Sequence, residues 1–192
     1  MIEEKNKEKE IELPMQVIIA RIEEDGKIYS EVNDNSLAYL SKGYGYKLEE
    51  ENKIVYHPCE VLYLLEKEKI LLYDSKGKQL NFIEALSFFK ERYNDIWISY
   101  VVFRDLRKRG YVVKEGFSPE LRFRVFDRGG FEKGVAKYLI VPLSEGKNID
   151  IATLKKLVSI CRGLKKEMII SVVDRRNEVI YYAANLVDLR NL

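Results

Sequence analysis

Apolar and polar positions alternate along this chain in short runs. Met15–Ile22 and Ile28–Val32 are strand-like, and the polar Glu23–Lys27 between them predicts a hairpin turn. A short helix follows from Asn33–Asn35 through SLAYLSKGYG, closed by glycines, and Lys53–Tyr56 predicts another strand. In Cys59–Lys67 the residues Val61, Leu62, Leu64 and Leu65 fall on one helical face, with Pro58 at a favoured opening position. Ile70–Tyr73 predicts a strand closed by DSKGK, and Asn81 opens a helix through FIEALSFFKERY. This is a small mixed unit ending near Tyr93.

The second half has cleaner signals. Asp95 is expected to N-cap a helix over Ile96–Arg109, stopped by Gly110. Tyr111–Lys114 predicts a strand, and Leu121–Phe126 alternates, with Leu121, Phe123 and Val125 on one face and Arg122, Arg124 and Phe126 on the other. The glycines of Asp127–Gly134 predict a loop, and Ala136–Leu143 a strand. Asp150 caps a helix stopped by Gly163, after which Glu167–Val173 and Val179–Leu189 are strands joined by DRRN. The fold class is therefore α+β, or mixed α/β. A small N-terminal mixed α/β domain (residues 1–94) precedes a C-terminal domain (residues 95–192) with a mixed sheet packed against helices.

Composition narrows the chemistry. The chain has 192 residues, 46% hydrophobic and 33% charged, which describes a globular protein. No apolar run approaches the roughly 20 residues of a membrane span, and the charged opening MIEEKNKEKEIE carries no apolar signal core; no membrane association is expected, and a cytoplasmic location is. The two cysteines, Cys59 and Cys161, are far apart and His57 is the single histidine, so no ordinary metal cluster and no cofactor are expected. Before Pro58, His57 is expected to be a loop residue leading into a helix. Residues 1–94 hold 14 Lys+Arg against 19 Asp+Glu, whereas residues 95–192 hold 19 against 12. The second half is the one suited to a polyanion. Its basic stripe, Arg107, Lys108, Arg109, Arg122 and Arg124, either meets phosphate or faces solvent.

The motifs YVVFRDLRKRGYVVKEG, FRVFDRGG, VAKYLIVPL, LKKEMIISVVD and VIYYAANLVDL, in that order and spacing, resemble the archaeal tRNA-intron (tRNA-splicing) endonuclease family. The resemblance spans about Gln16 to Asp188 and includes the N-terminal segment HPCEVLYLLEKEKILLY. It implies a nuclease-like C-terminal domain and excision of introns from precursor tRNA at bulge-helix-bulge sites. In the family a tyrosine activates the 2′-hydroxyl, a histidine protonates the leaving 5′-oxygen and a lysine stabilises the phosphorane. No metal takes part, and a 2′,3′-cyclic phosphate results. Here the tyrosine position holds Phe126, the histidine position Val135, and the lysine position Lys166. Phenylalanine cannot accept a proton and valine cannot donate one.

The resemblance thus implies a structural, non-catalytic subunit. Its partners would be precursor tRNA and a catalytic chain, in a heterotetramer of two catalytic and two structural chains. Two alternatives are a self-sufficient homo-oligomeric endonuclease using Tyr138 and Lys166, and an RNA-binding module without cleavage. Lys166, beside Lys165, is either a residual phosphate contact or an exposed charge before a buried strand. Ser159 stands where catalytic family chains carry a bulge-gripping arginine. The last strand is apolar on both faces, and Val179, Ile180, Tyr181, Tyr182 and Leu186 are expected to form an interface. The family also docks an acidic loop into another dimer. The matching loop here, Asp174–Glu178, contains Arg175 and Arg176, which puts that role in doubt.

Overall fold

The computed structural model describes residues 17–127, 130–131 and 134–187. The fold is mixed α/β. The first sheet has six strands: β1 (Ile18–Ile22), β2 (Ile28–Glu31), β3 (Tyr46–Leu48), β4 (Lys53–Tyr56), β5 (Ile70–Tyr73) and β6 (Gln79–Leu80), in the order β3-β4-β2-β1-β5-β6. Only the β1–β5 pair in it is parallel. Helices α1 (Asp34–Ser41), α2 (Pro58–Glu66) and α3 (Phe82–Lys90) belong to the same half. The second sheet has five strands: β7 (Val112–Glu115), β8 (Phe123–Phe126), β9 (Tyr138–Ser144), β10 (Glu167–Val173) and β11 (Val179–Ala184), in the order β11-β10-β9-β8-β7. It is antiparallel except between β9 and β10, which α5 (Ile151–Gly163) connects.

Helix α4 (Ile96–Lys108) follows the tightest apolar pattern and is buried accordingly. Its residues Ile96, Tyr100, Val101, Val102, Phe103 and Leu106 enter the main core with Phe89 of α3, Leu62 of α2 and Phe123 of β8. That core runs across both halves of the chain. A smaller cluster lies between α5 and the opposite face of the second sheet, built from Leu121, Leu139, Val141, Leu157, Val158, Cys161 and Met168. Both thiols are free and buried.

Several expectations need correction. Asp95 precedes α4 but does not cap it: its φ is +59° and no helix amide reaches its side chain. The carboxylate is taken instead by the Lys147 ammonium at 2.5 Å. The last strand ends at Ala184, where its ladder with β10 closes on the pair Met168–Ala184, one residue inside the start of β10. Residues 185–187 are not strand, and 188–189 lie outside the described residues, as do Met15 and Gln16 of the expected first strand. Strands β3 and β6 were not expected. β3 has no buried alternation, and both edges form only because β4 and β5 offer them a partner.

Candidate functional site

The positions singled out by sequence converge at one end of the second sheet. β8 runs antiparallel to β9, and β9 parallel to β10, so the end of β8 meets the starts of the other two. The Lys137 amide donates to the Val125 carbonyl at 2.9 Å, and the Glu167 amide to the Lys137 carbonyl at 3.1 Å. Phe126 therefore ends β8, Val135 lies just ahead of β9, and Lys166 just ahead of β10. The Lys166 ammonium closes the group by donating to the Ala136 carbonyl at 2.6 Å.

The chemistry available there is limited. Phe126 is 5% exposed and its ring meets Phe131 edge-on at 5.2 Å. Val135 is 66% exposed and has no proton to give. Lys165, in the left-handed turn between α5 and β10 (φ +54°), is exposed beside Lys166. With Cys161, Arg162, Met168 and Leu186 these lysines line a pocket of 330 Å³ on the α5 side.

His57 sits elsewhere, as the N-cap of α2. Its Nδ1 accepts from the Cys59 amide at 3.2 Å, and the Glu60 carboxylate returns to the His57 amide at 2.9 Å. Burial, aided by the nearby charges of Arg122 and Lys114, pushes its pKa down to about 3, so the ring is neutral at working pH. Sequence placed His57 before a helix but not as its cap, since imidazole is not among the favoured capping groups. Glu60 also accepts from the Gly45 amide at 3.1 Å and from Lys114 at 3.4 Å. Gly45 is required there: at φ +66° an added Cβ would stand 2.6 Å from Ile54.

The basic stripe is not uniform. Arg107 is committed inside the protein: it donates to Tyr44 Oη at 3.1 Å, to the Lys42 carbonyl at 3.0 Å and to the Tyr111 carbonyl at 3.3 Å, while its guanidinium covers the Tyr44 ring. Arg109 pairs with Asp105 at 2.6 Å, and the same carboxylate accepts from Tyr181 Oη at 2.7 Å. Arg124 donates through Nε to the Glu115 carbonyl at 2.8 Å and lies over the exposed Phe117. Arg122 has a buried Nε that no described group accepts. Lys108 is exposed. Periodicity showed the helix end as basic but gave no sign of these hydrogen-bond partners, which are up to 65 residues away in sequence.

At the opposite sheet edge lie β11 and the residues that follow it. Val179 and Tyr181 pack on the main core, whereas Ile180 (52%), Tyr182 (52%) and Leu186 (44%) are exposed. The turn before it is hydrogen-bonded: Asp174 accepts from the Arg176 and Glu178 amides at 2.8 Å, and the Trp97 indole donates to Asn177 at 2.9 Å.

Fold and site together define a mixed α/β protein whose second sheet brings Phe126, Val135 and Lys166 together at one strand end. The family described as tRNA intron endonuclease, catalytic C-terminal domain, matches residues 96–181. A tRNA-splicing endonuclease of Methanococcus vannielii is 31% identical over 164 residues, covering 85% of this chain and 82% of that protein. One from Thermococcus onnurineus is 35% identical over 123 residues, covering 64% and 70%, and one from Pyrococcus abyssi is 30% identical over 156 residues, covering 81% and 89%. The chain belongs to the tRNA-splicing endonuclease family. Among the described residues no helix is long and apolar enough to cross a membrane.

Proposed function

We propose that this chain is a non-catalytic, structural subunit of a tRNA-splicing endonuclease acting on precursor tRNA, in a heterotetramer with two catalytic chains. One observation carries this reading: the only histidine, His57, is a helix cap with a pKa near 3, and the position of the family's acid holds the exposed Val135. General acid catalysis needs a donor that titrates near working pH and reaches the leaving oxygen. Neither condition is met. Phe126, buried under Phe131, removes the hydroxyl as well. Tyr138, the alternative nucleophile-activating group, packs against the main core.

The subunit's part would be to hold catalytic chains at the separation of the two bulges and to add basic surface. The exposed Ile180, Tyr182 and Leu186 beside the β11 edge support an interface there, and Lys108, Arg124 and Lys165 are its best candidates for phosphate contacts. We also place the division between N- and C-terminal parts at residues 94/95, in the connection from α3 to α4. The test is a cleavage assay on bulge-helix-bulge RNA. The chain alone should give no product with or without divalent metal, and should be required alongside a chain carrying the complete tyrosine, histidine and lysine set. Cyclic-phosphate ends produced by this chain alone would overturn the proposal.

A further inference from the structure

Two cations of the second half reach into the loop after α1, residues 42–45. Arg107 of α4 holds it at the Lys42 carbonyl and at Tyr44 Oη, 3.0 and 3.1 Å away. Lys114 of β7 holds its other end, donating to the Gly45 carbonyl and, at 3.4 Å, to Glu60 Oε1. Glu60 is 3% exposed, and its second oxygen, Oε2, accepts from the Gly45 amide at 3.1 Å and from the His57 amide at 2.9 Å. The two carboxylate oxygens are thus divided: one faces an ammonium, the other two amides. Between the two ties, Gly43 (φ +80°) lies so close to the second half that an added Cβ would stand 2.4 Å from Val112 and 3.5 Å from Phe131. Phe131 in turn covers Phe126 at the strand end.

We propose that Glu60 and Lys114 form a charge-dependent latch between the two halves: while Glu60 is ionised the loop stays seated on β7 and Phe131, and loss of that charge releases it. The reason is geometric. A proton on Oε2 would confront two N–H donors, and a proton on Oε1 would confront the ammonium, so no neutral form of this carboxyl suits all its neighbours. The mostly buried ammonium would then lose its counter-charge. Two carboxyls stand here, Glu60 and the exposed Glu115 beside Tyr46 on the same pocket wall. Burial raises the Glu60 carboxyl above the usual carboxylate range, against the pull of Lys114 and the two amides. The fold therefore takes up this proton before the unfolded chain does, and release is local, with no loss of global stability from this group. The other neighbours stay as they are. His57 is neutral down to about 3, burial raises Tyr44, Tyr56 and Cys59, and the guanidiniums of Arg107, Arg122 and Arg124 are charged throughout. Burial lowers Lys114, so its own titration lies on the alkaline side, opposed by Glu60. The inference rests on the fold alone and stands whether or not the chain cleaves RNA.

The experiment is amide hydrogen exchange of the full chain by NMR, read as protection factors, together with the ring resonances of Phe131. As Glu60 takes up its proton on acidification, the Gly45 amide of the wild type should lose about tenfold in protection, with Phe131 shifting in the same step and the α4 amides unchanged. Glu60→Gln, whose NH2 group meets the same donors whichever way it turns, should show the released state at every pH. Lys114→Met should move the step to higher pH, since it removes the cation that favours the carboxylate. Glu115→Gln should leave the wild-type step in place. Should a variant fail to fold, the wild-type titration still decides. Full Gly45 protection in Glu60→Gln, or no step in the wild type, overturns the inference. So does a step in which the α4 amides lose protection together with Gly45, which is global unfolding, or one that Glu115→Gln abolishes. A step at Gly45 that leaves Phe131 unmoved overturns it as well, because the loop would then not bear on the strand end. Each of these failures leaves the structural-subunit reading standing.

Discussion

His57 shows how a residue type that suggests chemistry can be fully used by architecture. As the cap of α2 it must stay neutral to accept from the Cys59 amide, and burial keeps its pKa near 3. Below its ordinary value of 6.5 the unfolded chain takes up a proton here that the folded chain refuses until about 3. Stability should thus fall as pH drops through that window. His57→Asn keeps a capping acceptor without the titration, so its melting temperature should depend less on pH between about 6 and 4 than the wild type's. Parallel curves would show that the imidazole is solvated. The proposed loss of catalytic groups at Phe126 and Val135 can be tested by putting them back. Val135 is exposed, so a histidine introduced there would titrate near its usual value, and Phe126→Tyr supplies the hydroxyl once Phe131 yields. The double variant Phe126→Tyr/Val135→His should cleave bulge-helix-bulge RNA, and the wild-type chain, on the proposed reading, should not. A folded, RNA-binding double variant without activity would mean that these are not the positions of the lost groups.

Among the elements, α4 carries most of the argument. Its apolar face is the centre of the main core, and its basic end splits into two kinds of residue. Arg107 ties α4 to the loop after α1 through two hydrogen bonds and the Tyr44 ring, and a third reaches the Tyr111 carbonyl just past the helix. Arg107→Ala should cost about 2 kcal/mol in chemical denaturation. Lys108→Ala, one residue on but exposed, should change stability by less than about 0.5 kcal/mol. If Lys108 meets phosphate, that variant should instead lower the slope of log affinity against log salt by about one in the assembled complex. Equal stability losses from the two variants would show that the hydrogen bonds of Arg107 contribute little.

For the whole molecule the decisive surface is the β11 edge. An edge strand with exposed Ile180 and Tyr182 is a template for pairing with another chain, and a monomer would leave it bare. Tyr182→Asp should leave the fold intact, since that ring is 52% exposed, yet abolish the complex with a catalytic chain in light scattering. A full-size complex would show that assembly uses another face. Much of this molecule was legible from residue order alone. Period-2 runs located most strands of both halves, and period-3.6 runs with caps and glycine stops located the five helices among the described residues, because burying one face of an element imposes its spacing whatever it packs against. That Phe126 and Val135 stand at the family's tyrosine and histidine positions is our proposal from the motif resemblance, and the double variant tests it. Structure alone decided the rest. Asp95 was drawn from its expected cap by Lys147, Arg107 was turned inward by Tyr44, and Asp105 was shared by Arg109 and Tyr181. β11 stopped at Ala184, where its ladder with β10 ends on the pair Met168–Ala184. Local sequence sets what each segment can do, but the choice among polar partners is made by groups far away in the chain, which only the folded backbone brings within hydrogen-bonding distance.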